Sequence, residues 1–479
     1  MLIRLQKEII NMRNARVADV FWIAASVISV ICAIAVVLSW GTIFLDYLLY
    51  YPQYGTIFLI ASGLILSKLI YAQRCYKKQI KIEMRIKPNL IHRLLMGLII
   101  VSTAITYPMA TAYVPAFQQV YNPSPYDDEI GNQLPLNYQD ALYDEIAGAP
   151  SAHGSSVILL PNGELFTVWF AGTGEKQPDV AIYGSHCTPE MTGAGGGYNL
   201  TWDEPVVVAD TIDQSEGNPV LYMCPNGTLV LFYVTLRAEG PLFDNGWGPI
   251  LKPGWSLAKI KMKFSNDYGY TWSDPVYLRD DWFWMIRDRP LLTGDNHVLL
   301  PCYREAMQYQ SFFYRNNDPN LNGEWRVTGR LRTPHGCLQP SIVELDSGRI
   351  LCVMRTVDDR IYRSHSDDGG YTWTRPVTMR FPNPNSHVHI TRLRDGRILI
   401  LCNPHTYSRN TLSLIVGDPT GQFWSEPYWI FYDPGQSFSY PSMVQLPDDS
   451  VVFTYSLNKA KIEYGRVNIT LINDIDVPS

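Results

Sequence analysis

None of the eight cysteines in this chain forms a C-x-x-C pair with another, so the spacing that zinc sites need is missing. Charge is sparse too. Asp, Glu, Lys and Arg make up 18% of the residues, the net charge is −6, and the long C-terminal part has no basic arm or basic-aromatic patch. That balance argues against nucleic acid as a partner. There is no cofactor motif and no acidic loop that demands calcium, so neither cofactor nor metal is expected. Apolar residues, by contrast, reach 46%, the composition of a folded protein. Thirteen Trp and thirty Tyr suit a strand-rich protein and also suit sugar recognition.

The longest uncharged runs sit near the N-terminus. Residues 20–45 carry no charge and are long enough to span a bilayer; 54–71 and 94–113 make two further candidates, with Lys68 able to snorkel. The first run is too long for a signal peptide. Arg4, Lys7, Arg13 and Arg16 precede the first span, and Arg74 to Arg93 hold seven basic residues between the second and third. Positive segments stay inside. The expected organisation is a cytoplasmic tail (1–16), a membrane region (17–113), a linker (114–145) and an extracellular or periplasmic domain (146–479). In that domain Cys302, Cys352 and Cys402 end apolar runs and should be buried, while Cys187 and Cys224 are disulfide candidates. Asn199, Asn226 and Asn468 head N-x-T sequons, relevant only in a glycosylating host.

Beyond the linker a unit recurs: an apolar strand, a polar turn with Gly, then a second apolar strand. The copies are 155–170, 218–234, a rougher one at 289–303, then 340–355, 389–403 and 441–455. Their turns carry Gly163, Gly227, Gly348 and Gly396, with Asp449 in the last, at a period of about fifty to sixty residues. Each unit continues into more strand-like sequence and a Trp before a prolyl turn. Four short strands per unit at this period predict an all-β, six-bladed β-propeller, with residues around 141–150 closing the ring.

Two segments share the spacing S-x-D-x-G-x-T-W: Ser265, Asp267, Gly269, Thr271, Trp272, and Ser366, Asp368, Gly370, Thr372, Trp373. This spacing resembles the Asp box of the sialidase (neuraminidase-like, BNR-repeat) superfamily. Degenerate copies end at Trp202 and at Trp424, the latter with Pro419 where the Asp belongs. The resemblance covers about 150–470. It implies that the boxes are structural turns between the third and fourth strands of a blade, on the face opposite the substrate funnel, with the Trp packed between blades.

Propeller topology puts the chemistry at the other face, where first strands begin and second strands end. That rim offers His153, Glu175, Glu216, Asn218, Arg237, Arg287, Asp288, Arg289, Arg304, Glu305, Gln339, Arg355, His387, His389, His405, Arg409, Phe438, Tyr440, Asn458 and Lys459. Several guanidiniums in one funnel imply an anionic ligand, because Arg pairs with carboxylates in a bidentate fork. The resemblance implies a Tyr nucleophile assisted by a Glu, a carboxylic acid for the leaving group and three Arg on the substrate carboxylate. On this chain Arg355 and Arg409 match the second and third Arg, and Glu175 or Asp179 matches the acid. The pattern departs elsewhere: His153 stands for the first Arg, Gln339 for the assisting Glu, and Phe438 for the Tyr, with Tyr440 two residues on. Arg289, Arg304 and Glu305 are further substrate-binding candidates. Trp247, Trp255, Trp282 and Trp284 are able to stack on sugars or simply to pack.

Three functions remain open: a membrane-anchored glycosidase acting on a terminal sialic-acid-like sugar, a uronate lyase with His153 or His387 as base, and a silent acidic-glycan-binding module. In each the partner is an acidic glycan, on a glycoprotein, glycolipid or polysaccharide.

Overall fold

The computed structural model describes residues 133–192, 197–236, 255–281, 283–306 and 308–469. The three apolar runs, Arg237, Trp247 and Trp282 lie outside them. No helix among the described residues is long and apolar enough to cross a membrane.

Six antiparallel sheets follow one another. Blade one is built from Ser151–Leu159, Leu165–Gly172, Ala181–Thr192 and Gly197–Trp202, and blade two from Ser215–Met223, Leu229–Leu236, Ala258–Ser265 and Val276–Arg279. Blade three has a short inner strand, Trp284–Ile286, then Val298–Ala306, Gln308–Asn316 and Trp325–Leu331. Blades four and five run Cys337–Pro382 and His389–Tyr432. Blade six takes Phe438–Gln445, Val451–Leu457 and Lys461–Val467, and its outer strand is Leu136–Ala141 from the other end of the domain. The ring is therefore closed by 136–141, earlier than the expected 141–150. An outer strand buries one face only, so its sequence, LNYQDA, carries little apolar signal.

The turn residues behave as their spacing predicts. Gly163, Gly227, Gly348 and Gly396 take φ of 90°, 88°, 79° and 91°, and Asn296 and Asp449 take 58° and 66° at the two remaining turns. Each N–H closes onto a carbonyl three residues earlier, for example Gly348 to Leu345 at 2.9 Å. A left-handed residue is required there, which explains Gly, Asn or Asp at every copy.

Second strands are apolar on both faces, as Leu165–Gly172 and Leu229–Leu236 show by complete burial. They sit inside a stack, and six apolar clusters lie between successive blades. The box tryptophans serve these seams: Trp272 packs between blades one and two, and Trp373 stacks on Phe313 at 4.2 Å between blades three and four. Inside each box the Asp closes the turn. Asp368 accepts from Thr372 N at 2.8 Å and Oγ1 at 2.5 Å, and Ser366 Oγ accepts from Gly370 N at 2.9 Å. In the copy ending at Trp424 the carboxylate is not lost but shifted one residue. Asp418 accepts from Gln422 N and Phe423 N at 2.9 and 2.8 Å. The segment ending at Trp202 forms no box; it is the return strand of a long hairpin.

All six described cysteines are buried and free. Cys187 belongs to the seam of blades six and one, and Cys224 to that of blades two and three, so the expected disulfide does not form.

Candidate active site

The first strand of four blades contains a bulge. Register shifts fall between His153 and Ser156, Gly217 and Val220, Leu338 and Ser341, and Ser439 and Ser442. At each, one residue turns left-handed: Gly154 (φ 68°), Asn218 (46°), Gln339 (49°) and Tyr440 (53°). The last three precede Pro219, Pro340 and Pro441, which have no N–H for the ladder. A bulge re-aims a side chain. Here it turns Asn218, Gln339 and Tyr440 toward the ring axis, and non-Gly residues held this way store strain of about 1–3 kcal/mol each.

Asn218 and Tyr440 help form the floor of a cavity of about 200 Å³ lined by Glu175, Asn218, Trp255, Tyr303, Glu305, Tyr309, Leu338, Arg355, Asn385, Arg409, Tyr440 and Lys459, and Gln339 is buried beside it. The Tyr440 hydroxyl accepts from Arg355 Nη1 and Gln339 Nε2, each at 3.2 Å. Arg355 Nη1 also donates to Gln339 Oε1 at 3.0 Å, which orients the amide with its NH₂ toward Tyr440. Arg355 Nε donates to Asn385 Oδ1 at 2.5 Å, and Arg409 donates to the Asn385 carbonyl at 2.9 Å. Tyr303 Oη receives Asn218 at 3.1 Å and Gln339 at 3.4 Å. Burial alone would raise the Tyr440 hydroxyl, but the charges of Arg355 and Arg409 and the Gln339 donor outweigh it and bring it below its ordinary value.

Beneath the floor lies a second layer. Arg287 is fully buried, donates to the carbonyls of Ser155 and Tyr440 at 2.9 and 3.1 Å, and sits 4.9 Å from the Tyr440 ring. His153 meets that ring edge-on at 4.3 Å, and His387 stacks on it at 5.9 Å. Burial, then the surrounding cations, push His153 well below its ordinary value, so it is neutral. Asp288 accepts from His389 Nδ1 at 3.0 Å, while His389 Nε2 faces Arg289 Nη2 at 3.3 Å. Asp288, His387 and His389 are close enough to share a metal ion. Two guanidiniums already exceed the one carboxylate there, and the His389 nitrogen facing Asp288 carries the proton, so Asp288 and His389 form a hydrogen-bonded support, with His387 Nε2 3.6 Å from Asp288.

Several expected site residues take other places. Phe438 is buried against Phe431 and Tyr455 in the blade core, and the bulge separates it from Tyr440, so the two do not share a face. Arg289 is committed to His389, Thr391 Oγ1 and the Met443 carbonyl. Arg304 lies between Tyr303 and Glu305 on its strand and therefore points the opposite way, onto the Trp284 ring at 5.3 Å. Asp179 is exposed and caps its own loop, accepting Thr173 N and Oγ1 at 2.9 and 2.8 Å. Glu216 is buried under Thr211 and Thr235, and His405 accepts Tyr407 N and Ser408 N within its turn. Glu175 does line the cavity, where Trp255 Nε1 and Lys459 Nζ each donate to it at 2.8 Å. Against burial, Lys459 and Trp255 hold its carboxyl below the ordinary range.

Tyr303 and Asn385 complete the floor and were not expected there. Tyr303 stands two residues before Glu305 and shares its face, a signal that alternation from a known rim residue would have supplied.

A six-bladed propeller with Asp-box turns on one face and a cation-rich, tyrosine-floored cavity at the other defines the class of protein. The chain belongs to the BNR repeat-like domain family, whose model matches residues 163–453. No protein of curated function matches the sequence. Among solved structures, a protein of unknown function from Dyadobacter fermentans is 16% identical with a TM-score of 0.58, covering 70% of this chain and 99% of that one. The leech intramolecular trans-sialidase is 15% identical, TM-score 0.55, over 70% of each chain. The NanB sialidase of Streptococcus pneumoniae is 14% identical, TM-score 0.54, over 71% of each. At these identities the likeness establishes the fold.

Proposed function

We propose that this protein is a glycoside hydrolase that removes a terminal acidic, sialic-acid-like sugar, with Tyr440 as nucleophile and Arg355 and Arg409 holding the sugar carboxylate. The observation that carries the reading is the Tyr440 hydroxyl, which receives two donors and is shifted toward its ionised form. A sugar with a carboxylate on its anomeric carbon repels a carboxylate nucleophile, and a phenol held by a guanidinium avoids that penalty. His153 in place of a third Arg leaves two guanidiniums for the substrate. The apolar runs at 20–45, 54–71 and 94–113 would anchor the domain outside the membrane, facing glycans of the surroundings.

One observation favours a second reading. Gln339 donates to Tyr440 and cannot take its proton, as an assisting carboxylate would. A phenolate held by Arg355 and Gln339 also suits α-proton removal from a uronate, followed by elimination.

The deciding experiment gives the full chain a fluorogenic sialoside and, separately, uronate-containing oligosaccharides, each beside Arg355→Ala. Release of fluorophore that disappears in the variant supports hydrolysis. An unsaturated, ultraviolet-absorbing product supports elimination, and Arg355-dependent binding without turnover means a glycan-binding module.

A further inference from the structure

Arg287, Asp288 and Arg289 follow the inner strand of blade three, which packs against blades two and four. Their hydrogen bonds nevertheless go to blades one, five and six. Arg287 Nη2 donates to the Ser155 carbonyl in blade one and to the Tyr440 carbonyl in blade six. Asp288 accepts from His389 of blade five, and Arg289 donates to Thr391 of blade five and to the Met443 carbonyl of blade six. Consecutive residues therefore reach across the ring axis and grip first strands on its far side.

The carbonyls held by Arg287 belong to two bulges. Blade one shifts register between His153 and Ser156, and blade six between Ser439 and Ser442, so Ser155 and Tyr440 each lack a partner residue in the ladder. A buried carbonyl left without a donor is costly. Tyr440 is also left-handed, a conformation that a residue other than glycine keeps only where its surroundings over-determine it. Pro441, which follows, has no N–H to help fix the turn. One fully buried guanidinium supplies both donors and sits 4.9 Å from the centre of the Tyr440 ring. Tyr440 is thus held by its carbonyl and by its ring, while its hydroxyl accepts from Arg355 and Gln339.

We propose that Arg287 is a positioning residue of this site, holding the blade-six bulge in the conformation that delivers the Tyr440 hydroxyl to Arg355 and Gln339. This assignment rests on the reading of Tyr440 as the reacting group. Arg287 does not line the cavity, so it acts through Tyr440. Its replacement leaves no bare carboxylate, because Asp288 keeps the Arg289 N–H and His389 Nδ1 as donors. Arg287→Met therefore removes the two carbonyl bonds, the ring contact and one positive charge.

The test is a double-mutant cycle of the full chain, Arg287→Met, Gln339→Met and the two combined, each shown folded by a thermal melt. Phenolate absorbance is titrated in each and read against the same chain carrying Tyr440→Phe, so that only Tyr440 is followed. Gln339→Met is expected to raise the midpoint by about one pH unit, through loss of one donor to the oxygen. Arg287→Met should raise it at least as far. Adding Gln339→Met to Arg287→Met should then move it by less than about 0.3 unit, because a hydroxyl no longer delivered to Gln339 has no bond there to lose. A full further unit in the combined variant overturns the assignment, since Arg287 would then act by charge or stability alone. A midpoint that Arg287→Met leaves in place overturns it as well. Arg287→Lys, which keeps the buried charge on a shorter side chain, enters the same cycle under the same criteria if Arg287→Met does not fold. The titration needs no substrate, so coupling in a chain that turns over no acidic glycoside supports the placement and removes the hydrolase reading. With a fluorogenic sialoside, Arg287→Met is expected to lose about 10²-fold in kcat with KM within about threefold, as for a reacting group displaced while Arg355 and Arg409 stay. An unchanged kcat overturns the placement and leaves the hydrolase reading intact.

Discussion

The two faces of this propeller are made from the same strands and obey different rules. At the Asp-box face the box carboxylates are answered within a few residues: Asp267 by Thr271 and Ser265, Asp368 by Thr372 and Ser366, Asp418 by Thr420, Gln422 and Phe423, while bonds such as Arg392 to Asp346 and Arg394 to Asp449 tie neighbouring blades. At the cavity face answers come from other blades. Tyr440 is met by residues of blade four, and Arg409 bonds the carbonyl of Asn385 on the way into its own blade. Left-handed residues other than glycine occur at both faces, in turns at Tyr268, Asn296 and Asp449 and in first-strand bulges at Asn218, Gln339 and Tyr440, where they aim side chains at the axis. Local satisfaction lets a motif repeat and hold the ring; long-range satisfaction lets each blade contribute a different group to one site.

The largest effect that sharpens this contrast is expected at Tyr440. Tyr440→Phe keeps the ring between His153, His387 and Arg287 and removes only the hydroxyl. Turnover should fall at least about a thousandfold with little change in melting temperature, as steady-state kinetics beside a thermal melt would show. A variant that melts early would mean the hydroxyl is structural, and the contrast between faces would fail.

The box face should respond in the opposite way. Trp373→Ala removes a ring stacked on Phe313 at a blade seam and is expected to destabilise by about 3 kcal/mol in denaturant titration. The kcat of the molecules still folded should stay within about twofold, since the seam's apolar contacts make no approach to the reacting atoms. A large kcat loss would show the faces to be coupled.

A pH shift tests the cavity face at finer grain. The Tyr440 hydroxyl lies below its ordinary value, so its ionised form grows as pH rises through that lowered value. Gln339→Met removes one donor to the oxygen, which raises the hydroxyl and should move the acidic limb of kcat/KM to higher pH by about one unit. A limb that stays in place, or moves down, would falsify the role given to Gln339.

The smallest effect belongs to a turn. Gly348 has φ of 79° with open space around a would-be Cβ, so Gly348→Ala meets no clash and only the left-handed backbone opposes it. A loss of about 1 kcal/mol is expected from chemical unfolding, with Gly348→Asn milder because Asn tolerates that conformation.

How much of this was legible beforehand divides along the same line. The blade count, the turn glycines and both boxes are local patterns, and the structure repeats them where the spacing puts them. The carboxylate ending at Trp424 was misplaced because it acts from Asp418, one residue off the motif, an offset that backbone geometry absorbs. The closing strand was misplaced because an outer strand leaves little periodic signal. For the site, Arg355, Arg409, Glu175, Glu305 and Tyr440 converge on one cavity as rim positions, with Gln339 buried behind Tyr440 and Arg355, while Arg289 and Arg304 do not converge there. Spacing puts Phe438 at a catalytic place that the bulge after it gives to Tyr440.

The propeller is legible in the chain alone, because a four-strand unit with a left-handed turn residue and a seam-filling Trp is specified within about fifty residues and then copied. Which polar rim residues face one another follows from folding the ring, not from local pattern. Bulges in the first strands, not strand alternation, set the aim of Asn218, Gln339 and Tyr440, and closure of the ring brings residues about a hundred positions apart, such as Gln339 and Tyr440, within hydrogen-bond distance.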